Sequence, residues 1–102
     1  MTIYENTTNL VFDAITNLNR QRNSSQLIDK SLDTVLVGSS SKLDSLGLVT
    51  FIISVEEKID EIFNRSVALT NFDFFNNSGN ESLTVGSLIN YITNKIEETN
   101  SG

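Results

Sequence analysis

Apolar residues recur at helical spacing in three stretches of the chain, and nowhere do they alternate at strand spacing for more than a few residues. From about residue 4 to 20, Leu10, Val11, Ala14, Ile15 and Leu18 form one stripe and predict an amphipathic helix. Arg20 and Arg22 fall near its end, where cations suit the helix dipole. From about 45 to 63 the pattern is strongest. Leu48, Val49, Ile52, Ile53, Val55, Ile59, Ile62 and Phe63 lie on one broad side, with Gly47, Thr50, Ser54, Glu57, Lys58 and Glu61 on the other. Glu56 and Asp60 interrupt the apolar sector and are placed where it meets solvent. From about 84 to 98, Val85, Leu88, Ile89, Ile92 and Ile96 make the third stripe, and Thr84 is positioned to cap it.

The connections are uneven. Residues 23–44 read as one long loop, yet Leu27, Ile28, Leu32, Val35, Leu36 and Val37 predict that it packs along the helices. Between the second and third helices, Asn71-Phe72-Asp73-Phe74-Phe75 predicts a short helix over about 71–76, followed by a turn through Asn76 to Asn80. The expected fold is all-α: three main helices, a short fourth and a long first loop, in a single domain spanning 1–102. With no apolar stripe left over, the expected state is a monomer.

Composition narrows the chemistry. A chain of 102 residues with 38% hydrophobic and 20% charged residues can bury one core. Its formal charge of −6 disfavours nucleic acid and anionic membranes as partners and favours basic protein surfaces. The absence of cysteine and histidine removes disulfides, thiolate metal sites, cysteine nucleophiles and Ser-His-Asp triads. A non-enzymatic protein with no metal site is expected. No signal-peptide pattern or membrane-spanning apolar run occurs, so a cytoplasmic location without membrane insertion is expected.

The candidate chemistry lies at the start of the second helix. Ser45 falls at a helix N-terminus, where unpaired N–H groups and the dipole favour a phosphate ester. Asp44 precedes it and could cap the helix or hold a metal ion near the hydroxyl during modification. Alone, an Asp-Ser pair reads as a helix cap. Its setting is wider: Asp44-Ser45-Leu46, a long apolar helix carrying Glu56-Glu57, a short helix, then Thr84-Val85 and Ile89-Asn90-Tyr91-Ile92. From the first helix to about Ile96, this resembles the acyl carrier protein family.

The resemblance implies that Ser45 receives 4′-phosphopantetheine from coenzyme A through a separate, Mg²⁺-dependent phosphopantetheinyl transferase, with Asp44 and Leu46 as its immediate setting. Cargo would be held as a thioester on the arm and passed between an acyl- or aminoacyl-loading enzyme and downstream transferases of fatty acid, lipid or related biosynthesis. It also implies that a fatty chain can slip between the helices, with Val49, Ile53, Leu69, Phe74, Ile89 and Ile92 as candidate lining.

Two departures stand out. Family members that serve fatty-acid synthesis carry acidic residues two and five positions after the serine, where this chain has Gly47 and Thr50. Partner recognition would then rest on Gly47, Thr50, Glu56, Glu57 and Glu61, with charge thinned beside the arm and weaker steering toward the general enzymes. A specialised carrier is the expectation. Leu43-Asp44-Ser45-Leu46-Gly47 is also similar to D-alanyl carrier proteins, which keeps an aminoacyl or peptidyl carrier as the alternative. A helical binding module whose serine stays unmodified is the third reading.

Overall fold

The computed structural model describes residues 2–24, 27–37, 43–67, 69 and 83–100. Helix α1 runs Ile3–Asn19, strand β1 Val35–Val37, helix α2 Ser45–Phe63, strand β2 Leu83–Thr84 and helix α3 Val85–Asn100. The expected short helix over 71–76 lies outside the described residues.

Helix α1 starts at a capping box. The Thr2 hydroxyl accepts the Glu5 amide at 3.1 Å, and the Glu5 carboxylate accepts the Thr2 amide at 3.4 Å. Helix α2 ends where Asn64 takes the left-handed conformation (φ 56°, ψ 39°) and returns its N–H to the Asp60 carbonyl. Helix α3 is capped by the residue before it, Thr84, as its sequence predicts: the Thr84 hydroxyl accepts the Ser87 amide at 3.2 Å.

The helices bury the faces their periodicity marks. Leu10, Val11, Ala14 and Ile15 of α1 are buried, with Ile52, Val55 and Ile59 of α2 and Val85, Leu88, Ile89, Ile92 and Ile96 of α3. Helix α1 contacts both of the others. On α2 the buried face is turned from the expected one. Phe51 joins the core, while Val49, Ile53 and Ile62 face outward. One helix cannot bury its whole broad apolar side against α1, so the bulky Phe51 goes in and the far edge stays out.

The all-α expectation needs correction, because the fold contains a small antiparallel strand pair. Val35 pairs with Thr84 and Val37 with Leu83, with a register irregularity between the two pairs. A three-residue strand is too short to show a period of two, so Val35-Leu36-Val37 reads only as an apolar part of a loop. The pair ties the first connection to the start of α3. The carbonyls of Thr34 and Leu32 accept the Val85 and Gly86 amides, each at 2.9 Å, satisfying N–H groups that a helix start leaves unpaired. At the other end, Asn19 clasps the backbone of Ile28 through both amide atoms, at 2.9 and 2.8 Å. In the described part of the long connection Ile28 and Leu36 are buried and Val35 and Val37 partly so, as its composition predicts, whereas Leu27 and Leu32 are exposed.

Candidate functional site

Helix α2 begins at Ser45 because Asp44 supplies the cap. Asp44 is extended (φ −85°, ψ 179°), and its carboxylate accepts the Gly47 amide at 2.7 Å. The Asp44 carbonyl then accepts the Leu48 amide at 2.9 Å, the first bond of the helical ladder. As the first residue of the helix, Ser45 belongs to a turn whose amides have no carbonyl one turn back to bond. The next residue, Leu46, is 75% exposed.

Gly47 has a local reason to be glycine. A Cβ there would lie 3.0 Å from the Asp44 carboxylate oxygen, 3.4 Å from Leu43 Cδ2 and 3.6 Å from Arg22 Nη1. The missing side chain lets the cap close and brings the Arg22 guanidinium against the first turn of α2. Its expected part in partner recognition is therefore joined by a role in holding the helix start.

The residues placed with it divide into three groups. Glu57 and Glu61 are exposed, together with Asp60, and can face a partner. Glu56 is partly buried, and its carboxylate accepts the Leu69 amide at 2.7 Å. That bond accounts for an acid inside the apolar sector and assigns Glu56 to holding the chain after α2. Thr50 is exposed and lines a cleft between α1 and α2.

This half-open cleft, with room for about 100 Å³, is lined by Ala14, Asn17 and Leu18 of α1, by Gln21 in the turn that follows α1, and by Thr50, Phe51 and Ser54 of α2. Part of its α1 side could be read as a stripe, since Ala14, Asn17 and Leu18 follow helical spacing, but Gln21 lies in the turn past the helix end. Nothing in the sequence aligns that stripe with Thr50 and Ser54.

The expected lining of an interior for a fatty chain is split. Leu69, Ile89 and Ile92 are buried core. Val49 and Ile53 are not: they are 43% and 46% exposed and continue outward from Leu46. Phe74 lies outside the described residues. Leu46, Val49 and Ile53 follow one another at i, i+3 and i+7, and Glu57 and Asp60 extend the same line, so α2 presents an apolar strip that becomes acidic toward its C-terminal end. The expectation that no apolar stripe would be left over does not hold for the described residues.

Among the described residues no cluster of acidic, histidine or cysteine side chains could hold a metal ion, and no helix is long and apolar enough to cross a membrane. No family model, curated protein or solved structure matches the chain.

Proposed function

We propose that the chain is a carrier protein whose Ser45 bears 4′-phosphopantetheine, and that it delivers an acyl group between partner enzymes of a dedicated biosynthetic pathway. One observation carries the reading: Ser45 opens a long helix at a turn already capped by Asp44, with Leu46 standing out beside it. An oxygen ester of phosphate at that place gains from the free amides and the positive end of the dipole. In the transfer, catalysed by the partner transferase, the serine oxygen bonds to the phosphorus next to pantetheine. The bond from that phosphorus to the oxygen of adenosine 3′,5′-bisphosphate breaks, this leaving group departs, and the serine proton is released. Once attached, the arm supplies a thiol that the chain itself lacks, and tethering raises the local concentration of its cargo.

The proposed fold is the acyl-carrier-like bundle, with residues 71–76 as its short helix, acting in the cytoplasm as a monomer without catalytic activity of its own. The transferase, the loading enzyme and the downstream transferases would meet the apolar strip of Leu46, Val49 and Ile53, and their basic groups would meet Glu57, Asp60 and Glu61.

A second reading, an aminoacyl carrier, draws support from Val49 and Ile53. Their exposure takes two walls from the interior that would shield a long acyl chain, which favours a short or exposed cargo.

The test is intact-mass measurement after incubation with coenzyme A, Mg²⁺ and a broad-specificity transferase. The chain gains one phosphopantetheinyl group and Ser45→Ala gains none. A wild-type chain left unchanged by several transferases overturns the carrier reading.

A further inference from the structure

The cleft between α1 and α2 has no task in the carrier reading. Of its lining residues, Ala14 and Phe51 are buried and Leu18 partly so, whereas Asn17, Gln21 and Thr50 are exposed. The apolar groups therefore lie deep, and carboxamides and a hydroxyl stand at the rim. No lining residue is charged, although the chain carries a formal charge of −6. Size limits what the hollow can take. An apolar cavity of about 150 Å³ holds a molecule the size of benzene. Room for about 100 Å³ suits a leucine or isoleucine side chain.

The cleft is continuous with the apolar strip. On α2, Thr50 comes one turn after Leu46, and Ser54 directly follows Ile53. Exposed Leu46, Val49 and Ile53 thus run along one edge of the hollow. Further along α2, the exposed carboxylates of Glu57, Asp60 and Glu61 outnumber the one ammonium of Lys58. This acidic stretch is centred about 10 Å beyond the cleft along the helix axis.

We infer that the cleft is a socket for one leucine-like side chain of a partner's amphipathic helix, which carries lysine or arginine about two turns away. The anchor fills the hollow over Ala14, Leu18 and Phe51, and apolar neighbours at helical spacing rest on the strip. Uncharged polar groups beside the anchor meet Asn17, Gln21 and Thr50. Two helical turns span about 10 Å, which brings the basic groups over the acids of α2. A second copy of this chain is a poor occupant, because its own strip ends in the same acids and two chains of charge −6 repel.

The inference brings α1 into a docking face that the sequence places on α2 alone, and it gives Thr50 a reason. A carboxylate at that position would lose water as the anchor enters. A threonine keeps the hydrogen bonding without the charge. Recognition then rests on the shape of one buried side chain as well as on charge, which rejects basic partners that lack the anchor.

The test titrates the labelled, unmodified chain with a capped alanine-based helical peptide that bears one leucine and, two turns on, a pair of lysines, followed by NMR. The inference predicts saturable shifts in the side-chain amides of Asn17 and Gln21 and in the backbone amides of Thr50, Phe51 and Ser54. Serine in place of the peptide's leucine weakens binding about tenfold or more. Glutamate in place of its lysines weakens binding most at low salt. Ser54→Leu, which fills the hollow, abolishes the shifts at Asn17 and Gln21; Thr50→Asp, at an exposed position that leaves the fold intact, weakens binding of the leucine peptide. Shifts confined to Leu46, Val49 and Ile53, equal binding of the serine peptide, or no saturable shift overturn the inference. So do contacts in the free chain between Asn17 or Thr50 and the rings of Phe72, Phe74 or Phe75, which would make the chain itself the occupant, and concentration-dependent shifts at the same residues, which would make it a second copy. Because Ser45 stays unmodified throughout, none of these outcomes bears on the carrier reading.

Discussion

Two threonine hydroxyls sit in the core without a partner among the described residues: Thr7 on α1 and Thr93 on α3. Each lies on the buried side of its helix among isoleucines and leucines. A buried hydroxyl that forms no hydrogen bond costs about 1–3 kcal/mol, and valine has nearly the same shape. Thr7→Val should therefore raise stability by on the order of 1 kcal/mol and the melting temperature by a few degrees, read by thermal denaturation. A lower melting temperature would mean that the hydroxyl has found an acceptor. Asp44 is open to a sharper separation. Asp44→Ala removes the cap on Gly47 and should cost about 1 kcal/mol. Asp44→Asn keeps a capping oxygen and should leave denaturation nearly unchanged. If the carboxylate charge also serves the transferase, Asp44→Asn slows modification of a fully stable chain. Equal modification rates for Asp44→Asn and wild type would confine Asp44 to capping.

The elements were legible in the sequence where their pattern was long. Helix α2 begins and ends where its periodicity predicts, at Ser45 and Phe63, and all five stripe residues of α3 are buried. The strands were not legible, because Val35-Leu36-Val37 and Leu83-Thr84 are too short to display a period and exist only through each other. Which edge of α2 faces inward was equally hidden: an apolar face wider than its partner can cover does not say whether Phe51 or Ile53 goes in. Both ends of the elements yield predictions. A Cβ at Gly86 would approach the Leu32 carbonyl oxygen to 3.2 Å, and backbone there cannot yield as a side chain can. Gly86→Ala should lower the melting temperature and speed hydrogen exchange at Val85 and Gly86, whose amides bond to Thr34 and Leu32. At Asn64, with φ of 56°, glycine fits the left-handed conformation and alanine does not. Asn64→Gly should match or exceed wild-type stability, and Asn64→Ala should lose about 1 kcal/mol in chemical denaturation. A loss with glycine equal to that with alanine would point to the asparagine side chain instead of the backbone.

At the scale of the whole molecule, the helix start at Ser45 and its cap by Asp44 were legible because the two are adjacent in sequence and precede a long apolar period, whereas the exposure of Leu46 was not. The cleft was not, since it joins Asn17 on α1 and Gln21 in the turn after it to Thr50 and Ser54 on α2, and no local pattern records the relative rotation of the two helices. Nor was the bond from Leu69 to Glu56, which turns an expected partner contact into an internal one. On the proposed carrier reading, the remaining exposed acids on α2, Glu57, Asp60 and Glu61, would set the electrostatics of docking. Binding to a basic partner should weaken with added salt, and reversing Glu57 and Glu61 to lysine should slow association more than it hastens dissociation. Apolar-to-polar change at Val49 or Ile53 should act mainly on dissociation; stopped-flow kinetics with a transferase separates the two. The central claim concerns one oxygen atom among many serines, including Ser39, Ser40 and Ser41 just before the helix. Fragmentation of the intact, transferase-treated chain in the mass spectrometer addresses it directly. The account predicts a single phosphopantetheinyl group localised to Ser45 and lost in Ser45→Ala; a group on another serine, or none at all, would contradict it.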